Sequence, residues 1–367
     1  MKQTIIHITL PDKFPTGGPR TLFDLVSNLD KNKFHSIVIY PSGKFSDSLA
    51  NYAQIANFTI KKFPNLKNIK FILKLIRQNP KAVIHFHHSN TLWLALFIKL
   101  FRKNKIIYTE HVLTKDYKPP NKLSYFIYKI QYYIYIRFVN QIITVSNVVK
   151  EFIINRFHIK ANKVTVIPNG IVLPNKIPQQ SKNHNFNITS VGAINWVKNY
   201  DDLISIMNIL VNQYGLTQIN LTIVGDGPLR NHVEAQIYKY KLKKNIILTG
   251  HLTLNGIHEK LVETDLYIQT SLSESFGLAI LDALSYGIPV VAYDVGAINE
   301  IVNKDCGILV NFNKLKIERL NKFADEIVKI FNDNDLLKMM SKNCIAKSKE
   351  YSIVKTVSKY EKALNRI

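Results

Sequence analysis

Two rhythms alternate along the chain. Short, unbroken apolar runs rich in Ile and Val give way to stretches in which apolar residues return every three or four positions. The first rhythm predicts strands buried on both faces and the second predicts helices with one buried side. In the first half, residues 5–10 read as a strand, the loop Thr16-Gly17-Gly18-Pro19 follows, and 20–30 read as a helix. Residues 36–40, 82–86, 105–109 and 141–145 read as further strands, with a helix over 92–101. In the second half, strands are expected at 187–191, 220–224, 245–249, 266–269 and 289–292, and helices over 201–214 and 351–367. Strand–helix alternation of this kind predicts an α/β chain with parallel sheets covered by helices on both faces.

The polar, proline-bearing stretch 174–185 interrupts the pattern and reads as a linker. The 367 residues exceed one ordinary core and agree with two domains. Hydrophobic residues make up 46% of the chain, which excludes a disordered protein. Two cysteines, Cys306 and Cys344, provide no disulfide framework and point to a reducing compartment. The N-terminal run has no small-residue cleavage site and reads as a first strand rather than a signal peptide. The longest other apolar run, 91–98, is too short to cross a bilayer.

Charge is unevenly spread. Residues 1–170 hold 26 Lys and Arg against 7 Asp and Glu, whereas 171–367 hold 23 against 19. The excess of the first half favours an anionic partner or surface, such as lipid headgroups. No nucleic-acid-binding motif accompanies it, so nucleic acid is not expected as a partner.

The densest chemistry lies in Ser273-Glu274-Ser275-Phe276-Gly277-Leu278-Ala279-Ile280-Leu281-Asp282, which runs on to Gly287-Ile288-Pro289-Val290-Val291. It reads as loop, short helix and buried strand, with one acid before the helix and a second inside it. A helix N-terminus offers unpaired N–H groups to a phosphate, and the acids can accept hydrogen bonds from sugar hydroxyls. The segment resembles the family 4 glycosyltransferases, whose pattern is Glu, seven residues, Glu, then Gly-x-Pro-Val-Val. Asp282 stands where that family has its second Glu.

The resemblance implies a GT-B architecture, with two doubly wound Rossmann-like domains facing across a cleft. It divides the chain into an acceptor-side domain 1–172, a linker 173–185, a nucleotide-sugar-binding domain 186–350 and a tail helix 351–367 that crosses back to the first domain. It also implies residue roles. Glu274 binds the donor sugar near the reacting centre, and Asp282 binds the ribose. Lys198 and the amides of Phe276, Gly277 and Leu278 hold the diphosphate. Gly17 and Gly18 let the backbone approach the donor. His111 positions the sugar in a retaining reaction, in which the leaving phosphate takes the acceptor proton. Ala193 occupies the position of the family's arginine, leaving Lys198 and the helix terminus as the cationic groups.

Other motifs carry less. His85 and His87 share a strand face and read as packing ahead of acceptor lining, with a metal last. Glu110, beside His111, could serve an acceptor. The turns at 224–230 and 249–251 recur in the family, the second near the base, and 166–170 reads as structural. Asp333-Asn334-Asp335 reads as a helix cap, so no essential metal is expected and no cofactor beyond the donor. The stretch 119–138, with Lys122, Tyr125, Lys129, Tyr132, Tyr133 and Arg137, reads either as a membrane-surface face or as a core helix with a charged outer side.

The expected protein is therefore a retaining glycosyltransferase. It takes a sugar from a UDP- or GDP-linked donor to a saccharide acceptor, lipid-linked, in bacterial surface-glycan synthesis, and works in the cytoplasm as a peripheral protein on the inner face of the membrane. The rival readings are a nucleotide-sugar 2-epimerase and a catalytically weak saccharide-binding partner in a glycan-assembly complex. A basic nucleic-acid binder ranks behind them.

Overall fold

A computed structural model describes residues 2–10, 17–61, 65–113, 122–174 and 185–366. The chain separates into two compact units, Met1–Gly170 with Ile353–Ile367, and Ile171–Ser352. Most of the expected linker, 175–184, lies outside the described residues.

In chain order the first unit contains β1 (Gln3–Ile8), α1 (Gly17–Asn28), β2 (Phe34–Tyr40), α2 (Lys44–Leu49), β3 (Gln54–Asn57), α3 (Leu66–Gln78), β4 (Val83–Phe86), α4 (Trp93–Phe101), β5 (Ile106–Glu110), α5 (Lys122–Tyr135), β6 (Gln141–Thr144), α6 (Asn147–Phe157) and β7 (Val164–Val166). The second contains β8 (Phe186–Val191), α7 (Tyr200–Asn208), β9 (Ile219–Val224), α8 (Arg230–Lys239), β10 (Ile246–Gly250), α9 (Leu254–Val262), β11 (Leu266–Gln269), α10 (Leu278–Ser285), β12 (Val290–Tyr293), α11 (Ile298–Ile301), β13 (Gly307–Val310), α12 (Lys316–Asn332) and α13 (Asn334–Ser348). The final helix, α14 (Ile353–Asn365), belongs to the first unit.

The first sheet runs β3-β2-β1-β4-β5-β6-β7 and the second β10-β9-β8-β11-β12-β13. Every named strand pair is parallel, as in Ile6 opposite Ile84 and Val191 opposite Val224. Both sheets are thus doubly wound in the Rossmann manner. Their central strands, such as Val83–Phe86 and Leu266–Gln269, are buried throughout, which explains their mainly apolar composition, broken only by His85 and Gln269.

Ile353, Val357, Tyr360 and Leu364 form one face of α14 and join the core that holds Ile5, Leu25, Val83, Ile107 and Ile143. Their spacing of three and four residues is the helical repeat that buries a single stripe. Thr356 Oγ1 donates to the Pro168 carbonyl at 3.0 Å, which ties the 166–170 segment to this helix.

Three expectations shift. Gly17 and Gly18 begin α1 rather than forming a loop, because Pro19 sits in the first turn, where its missing N–H costs nothing. The Thr21 hydroxyl donates back to the carbonyls of Gly17 and Gly18 at 3.0 and 2.8 Å. The helix expected over 201–214 is α7 followed by a π-helical turn, Ile209–Gln213, closed by Tyr214 N donating to the Ile209 carbonyl at 2.9 Å. Within the 119–138 stretch, Tyr132 is not a surface residue but is buried, 2% exposed. Asp333 caps α13, accepting from the amides of Asp335 and Leu336.

Candidate active site

In a doubly wound sheet, the two loops that diverge where the strand order reverses open a crevice at the strands' carboxyl ends. In the second unit that point lies between β8 and β11. Lys198 is on the loop after β8 and Glu274 on the loop after β11, so the topology itself delivers both residues to one place.

The side chains meet there. Glu274 Oε1 accepts from Lys198 Nζ, from Gln269 Nε2 and from Ser271 Oγ, the last at 2.8 Å. Among the described residues, Glu274 Oε2 carries no hydrogen bond, so one oxygen is saturated and the other remains able to accept. The pair is only partly exposed, 23% for the Lys198 side chain and 11% for Glu274. Tyr267 extends the network by donating its hydroxyl to Gln269 Oε1 at 2.9 Å. Burial pushes the Tyr267 phenol well above its ordinary range, which keeps it a neutral donor.

The backbone around the pair is built to hold it. A Cβ on Gly192 would lie 3.0 Å from Lys198 Cε, so the bare glycine makes room for the lysine stem. Asn195 Oδ1 accepts from the amides of Val197 and Lys198 at 3.1 and 3.2 Å, and Thr270 Oγ1 donates to the Lys198 carbonyl at 3.2 Å. The turn after β9 braces this loop, since Ile194 N donates to the Asp226 carbonyl at 3.0 Å and Gly192 N to that of Val224 at 3.0 Å. Glu274 is held through its carbonyl, which accepts from Ala297 N at 2.9 Å. Gly296 has φ +59, and a Cβ there would fall 2.0 Å from that carbonyl oxygen. No other residue fits.

Just beyond Glu274, Gly277 caps α10 in the left-handed region, φ 108. Phe276 and Gly277 therefore precede the helix, so of the three amides expected to face the diphosphate only that of Leu278 belongs to it; the amides of Leu278, Ala279 and Ile280 have no acceptor within the helix. Asp282 is on α10 and 4% exposed.

In the first unit the strand order reverses between β1 and β4. Register sets His7 directly opposite His85. His7 Nδ1 and His87 Nε2 are 3.1 Å apart, His87 Nδ1 and His111 Nε2 are 3.5 Å apart, and His85 Nε2 is 2.8 Å from Thr109 Oγ1. His7, His85 and His87 each bring a ring nitrogen within 4.8 Å of the others, but the pairings just given describe a hydrogen-bonded chain of imidazoles. Burial holds all four rings neutral, with His7 and His111 lowered to about 3. Each neutral ring donates from one nitrogen and accepts at the other. The chain therefore couples the tautomer of His111 to that of His7. His87 and His111 line a small cavity with Thr21, Asp24, Asn169 and Tyr360. Thr21 is on the helix that Gly17 and Gly18 begin, and a Cβ on Gly18 would meet nothing within 4 Å among the described residues.

Glu110 faces away from this chain. Its Oε2 accepts from Tyr108 and Tyr132 hydroxyls at 2.7 and 2.8 Å, and its Oε1 from Val112 N at 3.2 Å. Burial raises its carboxyl to about 7 against those three donors.

Two family profiles account for nearly the whole chain. Glycosyltransferase Family 4 matches residues 15–173, and Glycosyl transferases group 1 matches 174–347. The chain belongs to family 4 of the glycosyltransferases.

This family 4 glycosyltransferase is 27% identical, over 82% of its length and 79% of the relative's, to the UDP-Gal:alpha-D-GlcNAc-diphosphoundecaprenol alpha-1,3-galactosyltransferase of Escherichia coli. It is 26% identical to an uncharacterized 41.2 kDa protein in the cps region of Klebsiella pneumoniae, over 84% of this chain and 86% of that one. The Anabaena protein HepE, solved with UDP and glucose, shares the fold with a TM-score of 0.81 at 17% identity, covering 100% of both chains. These likenesses establish the GT-B fold and a sugar-transferring enzyme.

For this glycosyltransferase the sequence marks Glu274 and Lys198, and the structure joins them directly. It misses Gln269, Ser271, Tyr267 and His7. The first three fall at alternate positions along and just beyond β11, a polar row on one face of an otherwise apolar strand.

Proposed function

We propose that the enzyme is a retaining glycosyltransferase that moves a hexose from a UDP-linked donor to a lipid-linked saccharide, in the assembly of a bacterial surface glycan. The observation that carries this reading is the half-saturated Glu274 carboxylate. Its Oε1 is tied to Lys198, Gln269 and Ser271 while Oε2 is left to accept from a sugar hydroxyl. Lys198 and the first amides of α10 supply positive potential for a diphosphate leaving group, in the absence of a side-chain cation at Ala193. Asp282 takes the ribose, and the glycines at the start of α1 admit the donor backbone-close. His111 presents a ring nitrogen to the reacting sugar, its tautomer set through His87.

The activity named for the Escherichia coli relative supports UDP as the nucleotide and a diphosphate-linked lipid as the acceptor class. The basic first half supports residence at an anionic membrane surface, on the cytoplasmic side where nucleotide sugars are made. Among the described residues, no helix is long and apolar enough to cross a membrane. The domain roles follow: residues 1–172 with the tail helix serve the acceptor, and 186–350 bind the donor.

The test is thermal stabilisation of the purified protein by a panel of UDP- and GDP-sugars, since a ligand that binds only the folded state raises apparent stability. UDP-hexoses are expected to stabilise the parent, and Lys198→Ala is expected to lose that response. Stabilisation by GDP-sugars alone would overturn the nucleotide assignment. An unchanged response in Lys198→Ala would overturn the pocket.

A further inference from the structure

The first unit carries a second concentration of positive charge, remote from the histidine chain. Lys99 on α4, Arg137 in the turn after α5 and Lys163 just before β7 line one open pocket with Phe138, Val139 and Asn140. No carboxylate among the described residues lines it. Among the described residues, none of the three cations has an acidic group within 4.0 Å.

Neutral groups hold each cation in place. Lys99 Nζ donates to the Asn104 carbonyl at 2.9 Å and to Asn140 Oδ1 at 2.8 Å. Lys163 Nζ donates to the Arg137 carbonyl at 3.1 Å. The Arg137 guanidinium lies 3.7 Å over the Tyr133 ring and donates to its hydroxyl at 2.5 Å. The charges are thus fixed but not neutralised. Burial, then the positive neighbours Arg137 and Lys99, draws the Lys163 ammonium below its ordinary range. Like charges gathered without a counterion are costly to keep unless an anion joins them.

The pocket lies where β6 and β7 begin, with Asn140 also accepting from the amide of Ile106 at 2.9 Å, at the start of β5. His111 follows the other end of that strand, about 15 Å away at the usual strand rise. The two sites therefore sit at opposite ends of the strands. The two helices that bring Lys99 and Arg137 to the pocket also carry exposed apolar side chains. Leu100 and Phe101 lie next to Lys99 on α4 and are 65% and 57% exposed, and Ile130 and Ile134 on α5 are 43% and 44% exposed.

We propose that Lys99, Arg137 and Lys163 form a phosphate-binding site separate from the donor pocket. Three cations converging on one opening suit the clustered oxygens of a phosphate mono- or diester. The phosphate comes either from a lipid headgroup, with the exposed apolar residues of α4 and α5 against the acyl boundary, or from a soluble anion. The site stands on its own geometry and does not depend on the donor assignment.

Two assays on the full chain distinguish the sources. The first follows thermal stabilisation by inorganic phosphate at ionic strength matched with chloride, in a Lys198→Ala background, so that the donor pocket's contribution is reduced and is the same in every variant compared. The second follows co-sedimentation with phosphatidylcholine vesicles, with and without phosphatidylglycerol. Each compares the parent with K99Q/R137Q/K163Q. Because Lys99 and Lys163 hold carbonyl oxygens of segments distant in sequence, whereas among the described residues Arg137 holds only Tyr133 one turn earlier, Arg137→Glu alone, a charge reversal at an exposed side chain, serves as the second variant. Loss of phosphate stabilisation in both variants identifies a soluble-phosphate site. Loss confined to phosphatidylglycerol vesicles, roughly a hundredfold for three charges at low salt, identifies a headgroup site. Unchanged behaviour of both variants in both assays, or a parent that responds to neither probe, overturns the proposal.

Discussion

Lys198 and Glu274 meet through a single carboxylate oxygen, which also accepts from Gln269 and Ser271. The arrangement fixes two functional groups with one set of contacts. It saturates one oxygen of Glu274, leaves the other without a hydrogen bond among the described residues, and localises the Lys198 ammonium against the same carboxylate. Removing either partner should therefore damage transfer more than folding. Lys198→Ala is expected to lower kcat by about 10²–10³, the range for deleting one preorganised stabiliser of developing charge. Glu274→Ala should fall at least as far. Both should retain cooperative melting, with destabilisation of about 1–3 kcal/mol from the hydrogen-bonding groups left unpaired. Steady-state rates with a matched donor and acceptor, together with melting curves, check this. Full activity in either variant would remove the pair from the mechanism.

Gly296 bears on the same carboxylate from behind. Its φ of +59 is in the left-handed region, and an added Cβ would collide with the Glu274 carbonyl at 2.0 Å. Gly296→Ala must either strain or push the Glu274 backbone away. The expected result is a loss of about 1–3 kcal/mol, together with a fall in kcat even where the protein remains folded. The control is Gly18→Ala. A Cβ there meets nothing within 4 Å among the described residues, so stability should hold, whereas donor affinity should fall if the backbone approaches the ligand at that point.

The histidine chain predicts an effect at a distance. His87 lies between His7 and His111 and determines which nitrogen of His111 carries the proton. His87→Phe keeps ring volume but breaks the relay, so His111 loses its orientation and tautomer. A fall of tenfold or more in kcat is expected, because small misplacement of a positioned group is enough to produce it. KM for the donor should change little. His87→Gln, which can still donate and accept, should recover part of the loss. A purely packing role would give the opposite order, with Phe tolerated and Gln harmful.

These sites differ in how far the sequence discloses them. Glu274, Lys198 and the α10 terminus lie in loops whose glycines and charges depart from the surrounding pattern, so they stand out along the chain. Gln269, Ser271 and Tyr267 are embedded in or beside a buried strand and look like core. Only their alternation marks them. His7 is invisible until β1 is registered against β4, since its partners lie about 80 residues away, as the His7–His87 contact shows. The fold follows the same logic. Central strands betray themselves as apolar runs, whereas β3, β7 and β13, which the apolar pattern does not mark, are all edge strands. An edge strand buries less and needs fewer apolar residues, as the partly exposed Gln54–Asn57 and Val164–Val166 show.

Glu110 gives a prediction in pH. Its carboxyl is buried and raised from an ordinary 4.5 to about 7. The folded state therefore retains a proton that the unfolded chain has already released between those values. The stability that the neutral acid contributes is complete below about pH 4.5 and is lost as the pH rises to about 7, beyond which the deficit is constant. Glu110→Gln keeps the shape and the hydrogen-bonding partners Tyr108 and Tyr132 without the ionisation. Against the parent, it should gain stability progressively from pH 5 to pH 7, by as much as about 3 kcal/mol, and show no further gain above pH 8. Chemical denaturation of both proteins across that range isolates the difference from every other titrating group. A pH-independent difference would mean that Glu110 stays charged in the folded protein, with the two tyrosine hydroxyls and the Val112 amide fully offsetting its burial.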